Sequence, residues 1–238
     1  ISKWEFNGWA KYKNFKNDNR AFLRINNFKK IKVVKPKYNK KNIILEGGSI
    51  DVNGSGLLLT TMQCLLSKIQ QRNKGFKKND YNQIFNKFFG TKKVIWLNKG
   101  IYGDDTHGHI DDIARFVSKN KIFIALEKNK KDKNFKNLKE NIEIIKKFKK
   151  KNFKKLKIIY IPMPEPKYID GIRLPASYLN FYIANKIVLV PSFNDPKDKV
   201  ILKIFKKHFK NRKVILIDSS ILVWGFGTIH CLTQQEPI

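Results

Sequence analysis

Short apolar runs in this chain alternate with stretches whose apolar residues fall at helical spacing, and that order limits the folds open to it. Runs at 43–45, 57–61, 94–97, 121–126, 158–162, 187–191 and 214–217 are rich in Ile, Leu and Val and predict strands. Segments 138–148 and 200–209 carry apolar residues at i, i+3, i+4 and i+7 and predict amphipathic helices. Residues 187–217 therefore read strand, helix, strand, and residues 121–162 repeat that order. A crossover helix is what joins two parallel strands, so the expectation is an α/β fold of repeated units. No Pro/Gly/Ser-rich linker interrupts residues 1–238, which read as a single domain.

The charge calls first for a nucleic-acid reading: 50 Lys+Arg against 19 Asp+Glu leaves a net +31. Of those 50 cations, however, 44 are Lys and 6 are Arg, alongside 24 Asn and 6 Ala. Base and phosphate recognition favours the planar fork of Arg over the point charge of Lys, so the excess reads as a solvated lysine coat. Only weak, salt-sensitive adhesion to polyanions follows from it, and no specific nucleic-acid partner is expected. Hydrophobic residues at 42% and aromatics at 13% exclude general disorder. No apolar run reaches the roughly 18 residues of a membrane span, so no membrane partner is expected. Cys64 and Cys231 are far apart, which argues against a disulfide scaffold or a zinc knuckle. The first residue is Ile1, so a leader or longer segment ahead of it is left open.

The lysines crowd 11–41 and 128–157 and nearly avoid 44–66, 101–116, 174–192 and 214–235. Four motifs lie in these islands. Glu46-Gly47-Gly48 sets a carboxylate before a glycine pair that permits close approach. Residues 103–112 hold Asp104, Asp105, His107, His109, Asp111 and Asp112, and the spacing of Ile110, Ile113 and Val117 predicts that a helix starts there. Residues 174–185 interleave aromatics with Asn, consistent with a pocket wall or an edge strand. Residues 225–237 place Cys231 after His230 in a glycine-rich turn, unlike Cys64, whose apolar neighbours read as packing.

His107-Gly108-His109-Ile110-Asp111-Asp112 is similar to the ligand run of dinuclear metallo-hydrolases, but such sites need further His, and only His208 and His230 remain. No metal is expected. Cys231 is the candidate nucleophile. Carboxylates around a thiol suppress its thiolate, which makes sense where the substrate itself brings positive charge. A guanidinium does so, and its fork pairs with two or more carboxylates.

These four motifs together resemble agmatine deiminases, grouped with the bacterial-type peptidyl-arginine deiminases in the guanidino-group-modifying superfamily. The resemblance implies a pentein-like α/β propeller of repeated ββαβ units and cofactor-free hydrolysis of agmatine to N-carbamoylputrescine and ammonia, a step of polyamine and putrescine biosynthesis in the cytoplasm. It implies Cys231 as the nucleophile that forms a thiouronium intermediate, His109 as acid and base, and Glu46 and Asp111 as carboxylates that bind the guanidinium. Asp105 falls where agmatine-specific relatives place the acid that meets the distal amine. His107, Tyr178 and Asn180 are given only framework roles. The family's early W-x-R-D-x-G-P segment is not found, so the chain is expected to lack the N-terminal blade and one binding carboxylate, and to be weakly active and poorly soluble alone. The expected partner is a small cationic guanidino substrate, with homo-oligomerisation left open. The alternatives are deimination of free or peptidyl arginine, and a non-catalytic relative.

Overall fold

A computed structural model describes residues 1–29 and 32–235; Glu236 and Pro237 of the fourth motif lie outside the described residues. Helix α1 (Lys16–Lys29) and the hairpin of β1 (Lys37–Tyr38) and β2 (Lys41–Asn42) come first. They precede β3 (Asp51–Val52), β4 (Leu57–Thr61), the short α2 (Met62–Leu66), α3 (Lys78–Phe89) and β5 (Lys93–Leu97). In this first unit β3 pairs antiparallel with β4, and β4 pairs parallel with β5 after the crossover through α3.

The same arrangement then occurs twice more. β6 (Ala114–Ser118), β7 (Lys121–Leu126), α4 (Phe135–Asn152) and β8 (Lys157–Pro162) form the second unit. After a small hairpin of β9 (Tyr168–Ile169) and β10 (Ile172–Arg173), the third consists of β11 (Tyr182–Ile183), β12 (Ile187–Ser192), α5 (Asp198–His208) and β13 (Lys213–Asp218). The two strand–helix–strand predictions are the parallel pairs β7·β8 and β12·β13 with their helices.

Strand periodicity of two splits the apolar side chains between two cores. In β4, Leu57 and Leu59 face a large core that continues through Phe123 and Phe205. Leu58 and Trp96 of the neighbouring strand turn the other way, towards Tyr81, Ile84 and Phe85 of α3. All five residues of β4 are buried, which is why it reads as an unbroken apolar run. Helix α3 stops at Gly90, whose φ of 62° is the left-handed conformation that glycine adopts freely. Phe205 of α5 lies 5.0 Å edge-on from both Phe123 and Phe181, joining the second and third units.

Two predictions change. The helix expected from Ile110 is instead a 3-10 turn (Ile110–Asp112) followed by β6. The cause is long-range: the Asp51 carboxylate accepts from Arg115 Nε at 2.8 Å and from the Phe116 backbone N–H at 2.6 Å, holding this segment extended against the first unit. Residues 43–45 form only an isolated bridge between Ile44 and Glu5 in place of the expected strand. Among the described residues no helix is long and apolar enough to cross a membrane.

Candidate active site

The motif residues sit mainly on the connections between units; of the third motif, Tyr182 and Ile183 form β11. The 3-10 turn Gly47–Ser49 precedes β3, residues 98–113 join β5 to β6, residues 174–181 join β10 to β11, and residues 219–235 follow β13. These connections and the N-terminal segment enclose a cavity of about 1030 Å³, lined by Glu46, His109, Asp111 and Cys231. No lysine or arginine is among the described residues that line it.

Close approach explains the glycines. A Cβ on Gly48 would stand 2.5 Å from His109 Nδ1 and 2.8 Å from Asp111 Oδ2, and one on Gly227 would stand 2.9 Å from Cys231 Cβ. Asp104 is spent on its own loop: its carboxylate accepts from the backbone N–H groups of Thr106, Gly108 and His109 at 2.8, 2.6 and 3.0 Å, which presents His109.

Glu46 is held from two sides. Arg72, whose side chain is fully buried, donates Nε to Oε1 at 3.1 Å, and His109 Nε2 reaches Oε2 at 3.4 Å. Burial opposes charge on Glu46, but the His109 and Arg72 partners keep its pKa below the ordinary value. Burial likewise opposes charge on His109, yet Cys64, Glu46 and Asp111 hold its pKa well above the ordinary value. These partners favour the protonated imidazole, which is the form able to give up a proton.

Asp111 lies at the centre. It is fully buried, and its Oδ2 accepts from His230 Nδ1 at 2.8 Å and lies 3.6 Å from Cys231 Sγ. Its Oδ1 has no hydrogen-bond partner among the described residues. Burial raises and the His230 bond lowers the pKa of Asp111, with a net fall that leaves it ionised. Burial, then Asp111 and Asp112, push the Cys231 thiol far above its ordinary pKa, and Asn180 works against them. Asp112 is itself raised by burial and by Asp111.

Asp105 reaches the same cavity but is already engaged. It pairs with Lys11 and accepts from the Tyr12 hydroxyl at 2.6 Å. His107 Nε2 instead faces Ser67 Oγ at 2.9 Å, a framework contact. Nothing in the local pattern of residues points to Arg72, which stands among lysines, or to the hold of His230 on Asp111. Cys64 is buried as expected, but beside the site: donor atoms of Glu46, Cys64 and His109 lie within 4.8 Å of one another. These three could offer O, S and N to a metal, though Arg72 already holds the carboxylate and burial raises the thiol pKa.

The family model for Porphyromonas-type peptidyl-arginine deiminase matches residues 1–237. A Legionella pneumophila (strain Paris) protein named "Putative agmatine deiminase" is 34% identical over 98% of this chain and 66% of its own length. A substrate-bound C. jejuni agmatine deiminase structure is 33% identical, with a TM-score of 0.85 over 97% of this chain and 66% of that one. The agmatine deiminase of Enterococcus faecalis is 27% identical, with a TM-score of 0.88 over 99% of this chain and 69% of that one. The chain thus spans about two-thirds of the length of the relatives it matches, 66% for the Legionella protein. It belongs to the Porphyromonas-type peptidyl-arginine deiminase family.

Proposed function

We propose that this chain carries the site of a cysteine-dependent hydrolase of guanidino compounds, with agmatine as substrate and N-carbamoylputrescine and ammonia as products. The observation that carries the reading is Asp111: a buried, ionised carboxylate beside Cys231 Sγ, with one oxygen unpartnered among the described residues, on a cavity whose described lining holds no lysine or arginine. An unpaired buried polar atom costs about 1–3 kcal/mol, a cost that a guanidinium N–H removes on binding. The same cation reverses the anionic field that keeps the thiol protonated, so the nucleophile is activated by its substrate.

In the reaction, the Cys231 thiol loses its proton to solvent as the cation binds, and Sγ bonds to the guanidinium carbon as its C–N π bond opens. His109 gives its proton to the departing nitrogen, and the C–N bond breaks to release ammonia and leave a thiouronium. The now neutral His109 takes a proton from water, whose oxygen attacks the same carbon; the C–S bond breaks to return the thiolate, and the remaining hydroxyl proton passes to solvent to leave the carbamoyl carbonyl. The role of Glu46 is to hold His109 and to add negative charge where the guanidinium sits. The three ββαβ units are read as blades of a pentein-like propeller around this cavity. A cytoplasmic setting and a place in putrescine biosynthesis accompany the agmatine reading.

The Lys11–Asp105 pair favours a second reading. A substrate ammonium must displace Lys11 to reach Asp105, whereas a substrate carboxylate would meet Lys11 directly, as arginine or a C-terminal arginyl peptide would supply. Ammonia release from agmatine, arginine and an arginyl peptide separates them. Agmatine is expected to react fastest, and faster release from arginine or peptide would overturn the choice. The assay is run on residues 1–238 and on the same residues joined to the remaining third of a relative, the longer chain being expected to be more active. Cys231→Ser in either form is expected to abolish release.

A further inference from the structure

Asn180 is 1% exposed, and its side-chain amide is fully used. Its Oδ1 accepts from Thr228 Oγ1 at 2.9 Å and from the backbone N–H groups of His230 and Cys231 at 3.0 and 3.2 Å. Its Nδ2 lies 3.0 Å from Asp112 Oδ1 and 3.0 Å from Cys231 Sγ. Donors surround one end of the amide and acceptors the other, so its orientation is fixed by its partners. Loop 174–181 is itself anchored, since Ser177 Oγ donates to the Asp112 backbone carbonyl at 2.8 Å. The amide thus reaches the sulfur from a rigid, buried support.

We propose that Asn180 is a catalytic residue of this site: its Nδ2–H donates to Cys231 Sγ and stabilises the attacking thiolate, while its Oδ1 clasps the turn that carries Cys231. The proposal rests on Cys231 being the nucleophile. A neutral thiol gains little from an amide donor, whereas a thiolate makes a charge-assisted bond roughly twice as strong. Among the groups around the sulfur, Asp111 and Asp112 oppose the anion, while the Asn180 side chain and, to a smaller extent, the Thr228 backbone favour it. Asn180 is the side-chain donor that works against the two carboxylates, and it does so without adding a charge of its own.

The test is the pH dependence of Cys231 alkylation by iodoacetamide, read by peptide mass so that Cys64 does not count. In that reaction the S–C bond forms, iodide leaves and the thiol proton passes to buffer. No guanidino substrate is involved, so a failure of the deiminase reading does not mask the result. Asn180→Asp keeps an acceptor for the three donors but loses the N–H, and Asn180→Ala loses both. Both are expected to slow alkylation at least tenfold at pH 8 and to shift its rise to higher pH. In the chain that turns agmatine over, kcat is expected to fall more than KM changes. A clasp with no electronic role would loosen the turn and leave alkylation unchanged or faster, and that result overturns the proposal. Because Asn180→Asp also sets a negative charge beside the sulfur, Asn180→Ala decides wherever it folds. If Asn180→Ala does not fold, the Asn180 side-chain amide resonance of the unsubstituted chain is followed through the thiol titration. Movement with Cys231 ionisation supports the proposal, and a flat response overturns it.

Discussion

Within one chain of net charge +31, the cavity around Cys231 and the groove along the end of α4 carry opposite charge. Glu5, Asp18, Glu46, Asp105 and Asp111 line the cavity, with no lysine or arginine among its described residues. Lys146, Lys149, Lys150 and Lys154 line the groove, about 510 Å³ in volume, with Ile158 and Tyr160. Water solvates the groove's ammonium groups at little cost, and basic groups suit the C-terminal end of a helix. A lysine in the cavity would compete with any cationic ligand for buried carboxylates. The contrast shows that the overall charge describes the coat and not the chemistry, which is confined to segments that lysine avoids.

Breaking the contrast at its centre has the largest expected effect. Asp111→Asn keeps the shape but removes the charge that faces Cys231 and His230. It is expected to lower kcat/KM for agmatine by a hundredfold or more, since losing one partner of a buried charged pair costs about 2–5 kcal/mol. Steady-state kinetics would check this.

Next comes the pH response. The pKa of His109 in the folded chain lies well above its ordinary 6.5. Its stabilising share is therefore fully present below 6.5 and lost as pH rises through the folded value. The melting temperature is expected to fall over that rise, and His109→Gln to flatten the decline.

A smaller effect is expected at the cavity mouth. Lys11 is partly exposed, with 44% of its side chain accessible, so its pair with Asp105 contributes modestly. Lys11→Met frees Asp105 and is expected to lower KM for agmatine about two- to fivefold, within the ~1 kcal/mol that such pairs carry. A rise in KM for arginine in the same variant would mark Lys11 as a carboxylate contact.

The smallest effect is expected in the groove. Changing Lys146, Lys149, Lys150 and Lys154 together to Gln should leave turnover within about twofold while weakening low-salt retention on heparin, because only sequence-independent charge is lost. A large loss of turnover would show that the lysine coat takes part in the site.

The sequence reveals the two regions unevenly. Buried parallel strands such as β4, β7 and β12 announce themselves because both faces are apolar, and α4 and α5 because their buried residues recur at helical spacing. Tyr81, Ile84 and Phe85 carry the same signal for α3, diluted by Asn and Lys between them. The segment after Ile110 has helical spacing and still forms a turn and a strand, because Asp51, more than 60 residues away, captures Arg115 and the Phe116 N–H. Local pattern cannot register that bond. The cavity's acids and its thiol stand out as islands in a lysine background. Arg72, His230 and Asn180 matter only through contacts with Glu46, Asp111 and Cys231, which the fold alone creates.

The most direct test sets a cationic alkylating agent against its neutral isostere. Chloroacetamidine and chloroacetamide present nearly the same shape to Cys231, and each rate is normalised to that with free cysteine. The account predicts that the amidinium modifies Cys231 at least tenfold faster, and that Asp111→Asn removes this preference. Equal normalised rates, or a faster reaction with the neutral reagent, would contradict the claim that the cavity is built for a planar cation.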